Sequence, residues 1–183
     1  MATNEQERVY NTIAEKIARK QLTEVSDIIR ALRPVYPSDD QFRAAFAGKQ
    51  IRTTTSRIRQ VARYILFEIE RHLSGSVFDD NSDKYTIEHV LPEHPTEGWT
   101  AFSDDQADRC IYRIGNMTPL ADGPNREIGN AAYDQKKDVF KKSDFEITRR
   151  IAVDHAEWSP ERIASRQQWM AAQATAIWRL AEI

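Results

Sequence analysis

The stretch YTIEHVLPEH, residues 85 to 94, is where the chain stops reading as helix. Tyr85, Thr86, Ile87 and Val90 favour strand, and Pro92 closes the run by removing a backbone donor. Inside it stand Glu88 and His89 side by side, and a second such pair, Glu93 and His94, follows the proline. Neighbouring side chains on an ideal strand point to opposite faces, so Glu88 and His89 can reach one point only if the strand twists or ends at the pair. A second strand-like stretch, YRIGNMTPL, covers residues 112 to 120, and Ser103 with Gln106 predicts a capped helix between the two. After the glycine and proline of DGPN a helical stretch runs through YDQKKDVFKK.

The flanks are helical in pattern. Val9, Ile13 and Ile17 recur at helical spacing, TEVSDIIRALR runs until Pro34, and Ser38 with Gln41 predicts a capping box before DQFRAAF. After Thr55, Ile58, Val61, Ile65, Ile69 and Leu73 form one apolar stripe, which leaves the arginines mostly off it. The turn-rich, acidic SGSVFDDNSD, residues 74 to 83, suggests a boundary between a helical lobe, 1–74, and a second domain, 75–183. The last helix is capped by Ser159, takes Pro160 in its first turn and carries Ile163, Arg166, Met170, Ile177 and Ala181. The expected fold is mostly α with a small strand, strand, helix core, an α+β arrangement.

Composition narrows the function classes. At 183 residues, 40% hydrophobic and 30% charged, the chain suits a soluble globular protein, and no run approaches the ~20 apolar residues of a membrane span. The polar start MATNEQERVY does not resemble a signal peptide, so the expected location is cytoplasmic, without a membrane partner. A single cysteine, Cys110, excludes an internal disulfide and any multi-cysteine zinc site. The net charge of -2 hides a regional pattern. Acids crowd residues 75 to 108, while Arg52, Arg57, Arg59 and Arg63 precede them and Arg126, Lys136, Lys137, Lys141, Lys142 and Arg149 follow. Such runs suit solvated helix faces, and an acidic centre between basic flanks also suits a cation-dependent nuclease.

Metal-assisted phosphodiester hydrolysis needs a base for water, a hard cation and oxygen ligands to hold it. A neutral imidazole at His89 supplies the base, and Glu88 an anionic oxygen. Asn116 and Asn125 supply amide oxygens, one suited to orienting the imidazole and one to completing a metal site. Taken alone, the same residues suit a half-buried strand histidine and two turn asparagines beside Gly115 and Pro124.

The ordered set IEHVLP, RIGNMTPL, Asn125, Lys136, Ser143, Trp158, Ile163 and Arg166 resembles the C-terminal nuclease domain of GmrSD-type restriction endonucleases, a branch of the HNH (His-Me finger) superfamily. The resemblance runs from about Tyr85 to the C-terminus. It implies a ββα-metal core, His89 as general base and Asn116 as the middle residue of the triad. Glu88 and Asn125 would then be ligands to one Mg²⁺ or Mn²⁺. Lys136 falls on a family lysine that either contacts phosphate or packs the helix. With Lys137, Arg126, Arg59 and Arg63 it makes the candidate DNA-binding set. Pro119 departs from the family pattern and predicts a strand that ends early or lies at an edge. The implied substrate is DNA, modified or from phage. The implied partner is an N-terminal nucleotide-hydrolysing sensor domain or subunit, for which this sequence carries no P-loop. Two rivals stay open: a non-catalytic helical interaction module, and an RNase of a toxin-like system using the same residues.

Overall fold

Start and stop signals in the sequence set the helical frame of the computed structural model, which describes residues 3 to 179. Ala181, which the pattern assigned to the last helix, lies outside them. Helices α1 (Thr3–Ala18), α2 (Val25–Leu32) and α3 (Asp39–Ala47) come first. Ser38 and Gln41 exchange the two bonds of a capping box, at 3.0 and 3.2 Å. Helix α4 (Ser56–Ser74) starts at the Thr55 hydroxyl and stops at Gly75, whose φ of 72° is a left-handed cap that glycine adopts without strain. Then come β1 (Tyr85–His89), α5 (Asp104–Cys110), β2 (Met117–Ala121), α6 (Asp122–Ile128), α7 (Tyr133–Phe140), α8 (Glu146–Asp154) and α9 (Pro160–Trp178). The fold is mostly α with one two-stranded antiparallel sheet. No described helix is long and apolar enough to cross a membrane.

The described chain divides into two compact units, residues 3–42 with Arg179, and Arg43–Trp178. Helix α4, which ends where the boundary at 74/75 was expected, packs on β2, α8 and α9 inside the second unit. The stripe of α4 also differs from expectation. Ala62, Leu66 and Ile69 are buried, while Ile58 and Val61 are 40% and 50% exposed. The helix is turned so that Arg63 faces inward, and three backbone carbonyls explain why a charge can sit there. Its guanidinium donates to Asp80 O at 2.5 Å, to Ser82 O at 2.9 Å and to Tyr85 O.

The register pairs Tyr85 with Ala121, Ile87 with Pro119, Glu88 with Thr118 and His89 with Met117. In a sheet of two strands both are edges, so Pro119 costs no ladder bond between partners on either side. Its carbonyl accepts the Thr148 hydroxyl at 2.6 Å. The sheet lies between two apolar clusters. Met117 joins Leu66, Phe67, Phe145 and Met170, whereas Leu120 joins Ile128, Phe140, Ile151 and Ile163. Helix α6 follows β2 without a loop and packs on both strands, giving a β, β, α order. DGPN, expected as a break, opens this helix, because Pro124 falls in the first turn where no amide donor is needed. The N-cap residue of helix α8, Phe145, has no side chain that can cap it. The buried carboxylate of Glu70, on α4, caps it by accepting Glu146 N at 3.1 Å and Ile147 N at 2.8 Å.

Candidate active site

At the end of β1 the chain leaves the sheet under the control of one side chain. Asn116 O accepts Val90 N at 2.9 Å. The Asn116 amide accepts Leu91 N at 2.8 Å and donates to Leu91 O at 2.8 Å. Its second proton goes to Ile111 O at 3.1 Å and its second lone pair takes the Trp158 indole N–H at 3.0 Å. Asn116 is 0% exposed, and its amide is fully used by Leu91, Ile111 and Trp158, so it makes no bond to the imidazole. The turn beneath it is fixed by Arg166, which donates to Gly115 O and Met117 O at 2.7 and 2.8 Å. At Gly115 a Cβ would run into the Ile163 carbonyl. Trp158, Ile163 and Arg166, far downstream in sequence, therefore converge on residues 115 to 117.

Glu88 and His89 point to opposite faces of β1, as strand geometry requires. Glu88 is 5% exposed, and its carboxylate receives the Lys136 ammonium at 2.5 Å. Lys136, on α7, is 0% exposed and also donates to His89 O at 3.0 Å. Burial pushes the Glu88 carboxyl up to about 7 against the pull of Lys136. Burial likewise lowers Lys136 against the pull of Glu88.

On the other face the His89 Nε2 lies 3.4 Å from the Thr53 hydroxyl and 4.0 Å from Glu93 Oε1. Its ring meets Tyr112 edge to face at 5.9 Å. It borders a cleft of about 540 Å³ lined also by Thr53, Arg59, Gln60, Asn81 and Asp83. Burial lowers the imidazole to about 4, helped by Lys136 and Arg59 and opposed by Glu93. The ring is therefore neutral at pH 7 and has a nitrogen able to accept a proton. Two of the groups around it, Thr53 and Glu93, are ones that the sequence pattern does not mark as site residues. Thr53 sits in a turn 36 residues upstream, and no local pattern links it to the strand.

The ligand set implied by the resemblance is not assembled. Asn125, on α6, donates its amide to the Thr86 hydroxyl at 2.7 Å and to Ile87 O at 3.3 Å, on the Glu88 side of β1. Glu88 is neutralised by Lys136, and among the described residues no three His, Cys, Asp or Glu side chains group to hold a metal.

The basic set separates equally clearly. Arg59 is exposed in the His89 cleft, braced by an Nε bond to Thr53 O at 3.3 Å. Arg63 also borders the cleft, but its donors are spent on the loop carbonyls of residues 80 to 85. Lys136 is internal, 0% exposed and paired with Glu88. Lys137 reaches Ala156 O at 3.3 Å, and Arg126 pairs with Asp122 on the surface.

A family model described as GmrSD restriction endonucleases, C-terminal domain, matches residues 36–173. No curated protein matches the chain. The matched segment holds the strand pair, the Asn116 turn, α7 and most of α9. The chain belongs to the C-terminal domain family of the GmrSD restriction endonucleases.

Proposed function

We propose that this chain is the DNA-cleaving part of a restriction enzyme, hydrolysing a phosphodiester with His89 as general base. The observation that carries this reading is the neutral, cleft-facing imidazole of His89, whose Nε2 is in reach of Thr53 and beside the exposed Arg59. Water bound against Nε2 loses a proton to the ring as its oxygen attacks phosphorus. The bond from phosphorus to the 3′ oxygen breaks, and that oxygen ends protonated, leaving a 5′-phosphate and a 3′-hydroxyl. The Arg59 guanidinium, free of an acidic partner among the described residues, is suited to hold the anionic oxygens of the phosphate. Glu93, 4.0 Å from Nε2, is suited to stabilise the imidazolium formed in the first step.

The acids between Asp79 and Asp108 oppose DNA, because each unneutralised carboxylate repels phosphate. Recognition of modified or phage DNA then belongs to a nucleotide-hydrolysing sensor domain or subunit, and this chain supplies cleavage. The test is to incubate supercoiled plasmid with the chain and with His89→Ala, in Mg²⁺, in Mn²⁺ and in EDTA. Wild type should nick. His89→Ala should be slower by about 10² to 10⁴-fold with unchanged circular dichroism. A variant within about tenfold of wild type would reject His89 as the base.

A further inference from the structure

The ammonium of Lys136 has three protons and three partners. Glu88 Oε1 lies at 2.5 Å, His89 O at 3.0 Å and the face of the Trp99 ring at 5.8 Å from its centroid. All of this is sealed from solvent, since Lys136 is fully buried, and Glu88 and Trp99 nearly so. The carbonyl it grips belongs to the residue whose side chain faces the cleft. That carbonyl sits at the last residue of β1, just before the strap that Asn116 holds. The strand end at His89 is thus fixed from two sides, by Asn116 beyond it and by Lys136 beneath it.

We infer that Lys136 is a positioning residue, an internal cation that fixes the backbone of His89, with Glu88 as its counter-ion, so that neither side chain contacts phosphate or a dissociable metal. A lysine reaching from α7 is long enough to bridge helix and strand, and one carboxylate balances its charge in the closed site. Glu88 keeps Lys136 charged, Lys136 makes the burial of Glu88 tolerable, and the pair delivers one spare donor to the main chain of the base. Removing one partner strands the other's charge in the core, whereas removing both leaves no buried charge unpaired. The role in catalysis rests on the nuclease reading given above. The ion-pair assignment does not.

The experiment compares wild type, Glu88→Gln, Lys136→Met and the double variant, each in the full chain. In thermal unfolding both single variants should fall, and the double variant should fall by less than the sum of the two. A strictly additive double variant would overturn the pair. The carbonyl ¹³C resonance of His89 should move in Lys136→Met and stay moved in the double variant. An unmoved resonance would remove the grip on the base, whether or not the chain cuts DNA. In plasmid nicking the double variant should recover stability but not rate, remaining about tenfold to a hundredfold slow, since small misplacements of a reacting group cost that much. Recovery of rate together with stability would reduce the pair to packing alone. In filter binding at two salt concentrations, the slope for Lys136→Met should match wild type. A slope smaller by about 0.9, one phosphate's worth of counterions, would make Lys136 a DNA contact after all. If wild type itself does not nick, the nuclease reading fails, and the unfolding and ¹³C measurements still judge the pair.

Discussion

Replacing Asn116 by alanine separates a residue that holds the chain from one that holds the imidazole. The substitution strands four buried groups at once: Leu91 N, Leu91 O, Ile111 O and the Trp158 indole N–H. Each unsatisfied buried group costs about 1–3 kcal/mol, and some recovery by an entering water brings the total to about 4 kcal/mol. For a chain of this size about 1 kcal/mol shifts the melting temperature by about 2–4 °C, so the expected fall is about 8–16 °C. Calorimetry of wild type and Asn116→Ala reads it directly. Were Asn116 instead a partner of the His89 ring, stability would hardly change and only cleavage would suffer. A fall below about 3 °C would refute the reasoning, because it would mean that the strap after β1 finds its partners elsewhere.

Acid should act through His89. The unfolded ring protonates below its ordinary 6.5 while the folded ring resists until about 4, so protons bind the unfolded chain first and stability falls across that window. Glu88, raised to about 7, works in the opposite direction between about 7 and its ordinary 4.5, so the comparison must isolate the histidine. In urea titrations His89→Gln should gain on wild type by about 2 kcal/mol between pH 7 and pH 5, and parallel profiles would sink the assignment. The two cleft arginines should part company: Arg59→Ala lowers the salt slope of DNA binding by about 0.9 with little effect on melting, while Arg63→Ala lowers melting by leaving three carbonyls unpaired. Glu70→Ala should unfold more easily by about 1–3 kcal/mol, since it uncaps α8 inside the core, and unchanged stability would show that α8 does not need its cap.

Much of this fold was legible because its signals are local. The Ser38 and Ser103 capping boxes, the Ser159 and Pro160 start of α9 and the strand propensity of residues 85 to 89 each lie within a few residues of what they specify. The features that escaped are those whose partner is distant. Nothing in ITRRIAVD announces α8, because its cap comes from Glu70, 76 residues earlier. The stripe on α4 misled because its pattern ranks Ile58 and Val61 above Arg63, and only three loop carbonyls make the arginine the buried member. The site divides the same way. The resemblance grouped Glu88, His89, Asn116, Asn125 and Lys136; in the fold Asn116 and Lys136 bond the chain at the end of β1, whereas Asn125 bonds Thr86 and Ile87 earlier in the strand. It did not identify who faces whom. Strand alternation alone warned that Glu88 and His89 would diverge, and Lys136 then fills the face on which a metal was expected.

Pro119 has a consequence beyond the strand pair. Val90 N bonds Asn116 O and Asp122 N bonds Lys84 O, so in this register the main-chain groups of residue 119 point away from β1. On that outer side a proline offers no donor, and its acceptor is already taken by Thr148. An extended segment approaching there, from a second copy or from a misfolded neighbour, would meet no donor and no free acceptor at the centre of β2. The outer edge of β2 is thus blocked at its centre against edge-to-edge aggregation, and the closure is written into the same NMTPL motif that shapes the site.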